Sequence, residues 1–216
     1  NSPKKYAVLI GLFVLPLVIY LLSAAGEELF DLLPVLKTDI FNVEGLKDLE
    51  GNTITLDDKI TILGFFGNHP DAMKGNALNL NAKIYKRNFE FDDFQFVMFI
   101  TEEAKKEANI LTEKLAAYTS TEEWHFVPAS TETITRTFSS LQTNLNLDSS
   151  LSSPYVFIID KELRLRGREN DEDNGLMYGY NSSDIAEITN KMVDDVKVIL
   201  AEYRRALKKY NTDREK

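Results

Sequence analysis

The sequence predicts an α/β domain with a mixed sheet flanked by helices, preceded by one N-terminal transmembrane helix. Two observations carry this prediction. The chain opens with a charge-free apolar run, and after it short runs rich in β-branched and aromatic residues alternate with segments of helical periodicity. The chain has 216 residues, of which 44% are hydrophobic, and this is enough to bury a sizeable core.

The first predicted element is a membrane anchor over residues 1–26. No charged residue occurs in 6–26, and this is about the 20 residues that a helix needs to cross a hydrocarbon core. Lys4 and Lys5 precede the run. Because cationic flanks stay cytoplasmic, we expect a single pass through the inner (cytoplasmic) membrane and an extracytoplasmic, periplasmic C-terminal domain. A cleaved signal peptide ending near 23–25 is the alternative, but the length of the run favours a retained anchor.

Residues 27–37 are predicted to be a juxtamembrane connector, either amphipathic or a plain linker turn. Residues 38–216 then form the extracytoplasmic domain. The chain carries 25 Lys and Arg against 34 Asp and Glu, a net charge of −9. Nucleic-acid binding needs a cationic surface, so this balance argues against a nucleic-acid partner.

The strands of the domain are predicted from short apolar runs and turn signals. Runs typical of strands buried on both faces occur at 59–66, 94–100 and 155–160. Shorter strands are predicted at 53–56 after a Glu-Gly-Asn turn, at 124–127, and at 163–168 as the second arm of a hairpin. Trp124 and His125 in the 124–127 run fit either the core or a recognition surface.

Amphipathic spacing predicts helices at 72–88, 102–118, 131–145 and 184–203. The last helix opens on Asp184 with Glu187 three residues later, the pattern of a capped N-terminus. Before it, 169–183 is predicted to be a long polar loop. Its acidic residues suggest calcium, but an EF-hand loop needs a glutamate where Asn181 falls, so a solvated loop is the better interpretation.

This order of elements resembles the thioredoxin superfamily, and within it the SCO/SenC family of copper-handling proteins that serve cytochrome oxidase. That family reads F-x-x-C-P-D-x-C at the end of its first core strand, where this chain reads FGNHPDAM over 66–73. Pro70 and Asp71 match, while His69 and Met73 replace both cysteines. The N-terminal anchor and the exported domain match as well.

The resemblance implies a cis proline at Pro154, facing the active site, and a third copper ligand near Ser152 or Ser153. The family has a histidine there and this chain has none. Imidazole and thioether both bind copper(I), so His69 and Met73 form the candidate metal site. The alternative is that Met73 packs into the core and the site has been lost. We therefore predict no cofactor, with copper as the open alternative.

The chain contains no cysteine, so it lacks the thiolate on which thiol oxidoreductases depend. Asp71 lies near His69 in sequence, but no serine completes a nucleophilic triad. We expect a protein that is not an enzyme but an accessory or assembly component of an integral membrane complex. The resemblance implies that this complex is cytochrome oxidase. The alternatives are a copper chaperone using His69 and Met73, and an enzyme whose residues are not recognised.

Overall fold

The computed structural model describes residues 12–18 and 32–214, with side chains up to residue 206. It divides into two units, 1–31 and 32–216. In the first unit, residues 12–18 are helical with exposed side chains. The rest of the predicted anchor, and the connector up to residue 31, lie outside the described residues. None of the helices in the described ranges is both long enough and apolar enough to cross a membrane.

The second unit is built on a mixed sheet. Its strands in chain order are β1 (Val35–Lys37), β2 (Ile60–Gly67), β3 (Phe94–Thr101), β4 (Trp124–Ala129), β5 (Ser152–Ile159), β6 (Leu165–Arg166), β7 (Arg168–Asp171), β8 (Gly175–Met177) and β9 (Tyr180–Asn181). The sheet order is β1-β6-β5-β2-β3-β4, with β9 pairing β5, while β7 and β8 form a separate hairpin. The strands β2, β3 and β4 run parallel and β5 runs antiparallel to β2. The predicted mixed sheet is confirmed.

Four helices follow the predicted positions. They are α1 (70–88, with a 3₁₀ turn at Pro70–Met73 and a π turn at Asn81–Tyr85), α2 (102–116), α3 (Thr131–Ser140) and α4 (185–214, with a π turn at Ile188–Met192). The Asp184 carboxylate accepts hydrogen bonds from the backbone N–H groups of Ala186 and Glu187, which confirms the predicted cap. The third helix ends five residues earlier than predicted, and Gln142 beyond it has a φ of +50°.

The helices cover both faces of the sheet, and the core therefore has two apolar layers. Alternate residues of a strand point to opposite faces, so Phe66 packs beneath α1, α2 and α4 whereas Phe65 packs beneath α3. Both rings are fully buried. Trp124 is 3% exposed and stacks on Phe96 with 4.5 Å between ring centroids. The aromatic residues of the strands are packing residues, and Trp124 belongs to the core.

Three segments differ from the prediction. The strand predicted at 53–56 is reduced to a single bridge between Lys47 and Thr53. The Ile54 N–H still donates to the Leu46 carbonyl, but the Leu56 N–H donates to the Asn42 side chain instead of a neighbouring strand. The polar loop predicted at 169–183 contains the β7–β8 hairpin and β9. Residues 35–37 of the expected connector form β1, which pairs with β6.

A buried arginine joins three parts of the domain. Arg166 is 2% exposed, and its Nε donates to the Leu33 carbonyl at 2.7 Å. Its Nη1 donates to Asp160 at 2.9 Å and its Nη2 to Glu202 at 2.6 Å. The N-terminal segment, the β5–β6 hairpin and α4 therefore meet on one guanidinium group, whose five donors match this arrangement of acceptors.

We expect Arg166→Met to lower the free energy of unfolding by about 3 kcal/mol, because it leaves the buried Asp160 carboxylate with less compensation. The measurement is urea unfolding of the full chain in detergent micelles. The exposed Arg87 provides the control, and Arg87→Met should change the free energy by less than about 0.5 kcal/mol. Equal effects of the two substitutions would contradict a structural role for the buried group.

The contacts of Asp171 in the β7–β8 hairpin predict how the stability of the domain falls in acid. Burial disfavours ionised Asp171, but hydrogen bonds from Lys191 and from the N–H groups of Asn174 and Asp173 outweigh burial and lower its pKa from 3.8 to about 2. Because the folded pKa lies below the unfolded one, ionised Asp171 stabilises the fold at neutral pH. This contribution is lost as the pH falls from about 4 to 2.

Between pH 5 and pH 2, the wild type should therefore lose about 2 kcal/mol more unfolding free energy than Asp171→Asn. The measurement is urea unfolding at a series of pH values. Glu172 is an exposed neighbour, and Glu172→Gln should keep the wild-type slope. A wild-type slope in Asp171→Asn would show that another carboxylate carries the acid response.

Candidate functional site

The candidate site is a corner where the end of β2, the start of α1 and the turn before β5 meet. We define the corner as residues 66–73 together with 148–153. Phe66 pairs with Ser152 in the sheet register, and the Asn68 N–H donates to the Ser150 carbonyl at 2.9 Å. The segment that carries the sequence motif and the segment before β5 therefore lie side by side.

The close approach at the corner depends on Gly67. Its φ is +58°, and a Cβ built on it would lie 2.0 Å from the Ser150 carbonyl oxygen. Every side chain larger than hydrogen would strain this backbone and push the two segments apart. The glycine thus sets the distance between the end of β2 and the turn before β5.

Asp148 shapes the other side of the corner. Its carboxylate accepts hydrogen bonds from the N–H groups of Ser150 and Ser152, at 2.8 and 2.9 Å, and from the Ser152 hydroxyl at 2.8 Å. Burial opposes its ionisation, but the bonds from Ser152 outweigh burial and lower the pKa, and the nearby His69 acts in the same direction. Asp148 is not among the residues predicted from the sequence, although Asp followed by serines two and four residues later is a turn signal.

The two predicted metal ligands occupy different environments. His69 is exposed and directly precedes the buried Pro70, which opens the 3₁₀ turn, a position that proline favours. Met73 is half-buried and packs against the core cluster beneath α1. This packing matches the alternative interpretation of Met73 as a core residue, in which the thioether fills space between apolar side chains.

Asp71 has a partner outside the motif. The exposed carboxylate lies 2.8 Å from the Nζ of Lys114 on α2, and the Lys114 hydrogen bond and charge lower the pKa of Asp71. The pair links the start of α1 to α2. Asp71 is therefore engaged with a cation rather than placed to orient His69.

Pro154 corrects one implication of the resemblance, since the Ser153–Pro154 peptide bond is trans. The residues on both sides are paired, Ser153 with Phe65 and Tyr155 with Asn181, and the register between β2 and β5 shifts just beyond this point. The Pro154 carbonyl accepts hydrogen bonds from the N–H and the hydroxyl of Ser182, at 2.8 and 2.6 Å. The trans isomer, which X–Pro bonds generally favour, fits this extended pairing.

The second histidine of the chain is structural. His125 on β4 lies with its Nδ1 2.9 Å from the buried Asp48 carboxylate. Burial opposes ionisation of Asp48, but hydrogen bonds from Asn52 and His125 outweigh it and lower the pKa. The same carboxylate accepts from the N–H of Glu50 and closes the turn at Gly51. The pair fastens this turn to the edge of the sheet, and sequence periodicity carries no signal for it.

Comparisons with known proteins bear on the fold. No protein-family model matches the chain, and no curated protein matches it. Among solved structures, the chain is similar to BsSco, a member of the Sco family of cytochrome c oxidase assembly proteins. The identity is 14% and the TM-score 0.55, over 78% of this chain and 96% of that one. A SCO1/SenC family lipoprotein from Bacillus anthracis matches at 17% identity and a TM-score of 0.54, over 78% and 99%.

The fold is that of the thioredoxin-like Sco proteins. A putative protein disulfide isomerase from Bacteroides thetaiotaomicron also matches, at 12% identity and a TM-score of 0.51, over 79% of this chain and 91% of that one. The predicted thioredoxin-like, Sco-like resemblance is confirmed at the level of fold. The chain has no cysteine, which is consistent with the predicted replacement of both motif cysteines.

The residues of the corner do not match the copper ligands that the family resemblance implies. The described residues contain no group of three or more His, Cys, Asp or Glu that could hold a metal ion. Met73 packs against the core, and at the expected third position the Ser152 hydroxyl donates to Asp148. Only His69 presents an exposed donor of the kind that copper(I) sites use. We therefore derive no chemistry through a metal.

Alanine substitution should have opposite effects on the free energy of unfolding at Gly67 in the corner and at Gly75 farther along α1. Gly67→Ala should lower the free energy of unfolding by about 2–4 kcal/mol, because the added methyl group meets backbone at a positive φ. Gly75 lies in α1, and a Cβ built on it has no atom within 4 Å. Gly75→Ala should therefore raise the free energy by about 0.5 kcal/mol. Chemical unfolding measures both, and a neutral Gly67→Ala would mean that the close approach is not required.

Proposed function

We propose that this protein is a membrane-tethered accessory or assembly component of a membrane complex, with a respiratory oxidase as its partner, and that it works by binding rather than by redox or hydrolytic catalysis. The observation that carries the proposal is the corner itself. The end of β2 and the turn before β5 pack closely at Gly67, while the two cysteines expected from the resemblance are replaced by His69 and Met73. A thioredoxin-like corner without a thiolate has lost its nucleophile but keeps a shaped surface.

The surface next to the corner supports a role in protein contacts. A shallow groove between the start of α1 and the face of α2 is lined by His69, Ala72, Glu107, Ile110 and Lys114, among others. Ile110 is 42% exposed and gives this charged groove one apolar contact. Non-obligate interfaces are about as apolar as the rest of the protein surface, so a groove of this composition is compatible with a transient contact.

The tether and the location belong to the proposal too. The charge-free run at 6–26, preceded by Lys4 and Lys5, supports a single pass with the domain outside the inner membrane. The similarity to a Sco-family oxidase assembly protein supports an oxidase as partner. The domain would then meet its partner from the extracytoplasmic side of the same membrane.

Site-specific photo-crosslinking in native membranes tests the partner. A benzoylphenylalanine replaces Ala72, which is exposed in the groove, or Glu132, which is exposed on α3 at the opposite layer of the domain. We expect Ala72→benzoylphenylalanine to give an adduct with an oxidase subunit and the Glu132 variant to give none. An uncrosslinked monomer at both positions, or the same adducts from both, would refute the proposed binding surface.

Copper transfer through His69 and Met73 is the competing function, and copper(I) titration against a competing chelator distinguishes it. The binding role predicts that the full chain in detergent does not compete with the chelator at a nanomolar copper affinity. Copper transfer predicts tight binding that His69→Ala weakens by tenfold or more, since the imidazole is the exposed donor. His125→Ala is an unsuitable control because it breaks the pair with Asp48, so Asn68→Ala, at the exposed neighbour of His69, serves instead.

A further inference from the structure

A second concave site lies beyond the corner and plays no part in the proposed function. It is a cavity of about 200 Å³ bounded by the segment after α3, by β5, by the β7–β8 hairpin and by the start of α4. Its lining includes Asn144, Leu145, Tyr155, Leu176, Tyr178 and Glu187. This volume is below the roughly 300–1,000 Å³ of pockets that hold whole small-molecule ligands. It is suited to a single inserted side chain.

Part of the cavity wall is formed by aromatic and aliphatic side chains. Tyr155 and Tyr178 are half-buried and packed against the core from below, so their rings are fixed in place. Leu176 is 46% exposed at the edge of the site. Rigid rings and an exposed aliphatic side chain provide contacts for the methylene stem of a long side chain, and aromatic faces attract cations.

The charge of the cavity lining favours a cationic group at the end of the inserted side chain. Glu187 accepts a hydrogen bond from the Asn181 N–H on its Oε1 at 2.6 Å, and the described residues place no partner on its Oε2. The cavity lining contains no lysine or arginine. The Lys37 Nζ lies over the Tyr178 ring, 5.9 Å from the centroid. This ring therefore accepts a cation within the chain itself.

We propose that this cavity binds a lysine or arginine side chain of a partner polypeptide. The stem would lie between the tyrosine rings and Leu176, and the cationic group would meet the free oxygen of Glu187. A side chain of a polypeptide is favoured over a free small molecule because the cavity, at about 200 Å³, is smaller than pockets that enclose whole small-molecule ligands. The net charge of −9 also attracts a basic partner.

The four methionines of the chain lie in different places, so their methyl signals report separately on binding at the cavity and at the corner. Met177 lines the cavity, Met73 lies at the corner, and Met98 and Met192 are fully buried elsewhere. The full chain, labelled with ¹³C at the methionine methyl groups and held in zwitterionic detergent micelles, is titrated with capped Gly-Lys-Gly and Gly-Arg-Gly peptides. Capped Gly-norleucine-Gly, which has the stem without the charge, is the reference.

We expect the basic peptides to shift the Met177 signal with saturation in the millimolar range, and the norleucine peptide to bind at least threefold more weakly. Glu187→Gln keeps an acceptor for the Asn181 N–H but removes the charge, and it should raise the dissociation constant about fivefold. Glu172→Gln removes the same charge from an exposed position outside the cavity lining, and it should leave the constant unchanged. Tyr178→Leu should weaken binding, whereas Tyr118→Leu, at an exposed tyrosine elsewhere, should not.

Three results would overturn this proposal. The first is a Met177 signal that does not move with either basic peptide. The second is equal weakening by Glu187→Gln and Glu172→Gln, which would show diffuse attraction to an acidic surface. The third is binding of n-butylammonium as tightly as the lysine peptide, which would identify a site for a small amine instead of a polypeptide. Because Met73 reports separately on the corner, failure here is distinguishable from failure of the proposed function.

Discussion

The buried guanidinium of Arg166 is the contact on which the rest of the domain depends. It joins Leu33, Asp160 and Glu202, groups that come from the N-terminal segment, the β5–β6 hairpin and the last helix. A buried charge is costly unless it is fully paired. The burial of the guanidinium is therefore compensated only when all three elements are in place. With no disulfide available in a chain without cysteine, such long-range polar contacts and the two apolar layers hold the domain together.

The Arg166 contacts hold the β5–β6 hairpin in place, and β5 in turn positions the corner. The strand pairs with β2 through Ser152 and Ser153, and Gly67 allows the preceding turn to approach the end of β2 closely. The same strand continues to Tyr155, which lines the second cavity. One strand therefore contributes both to the packing of the corner and to the wall of this cavity.

Much of the fold was accessible from the sequence because its strands are short apolar runs and its helices are amphipathic. The three buried strands at 59–66, 94–100 and 155–160 and all four helices were predicted near their observed positions. The β7–β8 hairpin was not, because β7 consists only of polar residues and the turn is held by the Asp171 carboxylate. The strand predicted at 53–56 is cut short for a related reason, since the Asn42 side chain takes the hydrogen bond of the Leu56 N–H that a neighbouring strand would otherwise accept.

The sequence by itself determined the order of strands and helices, the absence of thiol chemistry and the motif around Pro70 and Asp71, because each of these depends on residue type and spacing along the chain. Tertiary structure alone decided that Met73 packs against the core while His69 stays exposed, that Asp71 pairs with Lys114, and that the Pro154 bond is trans. These outcomes depend on contacts between segments distant in sequence, and local periodicity contains no information about which distant groups meet.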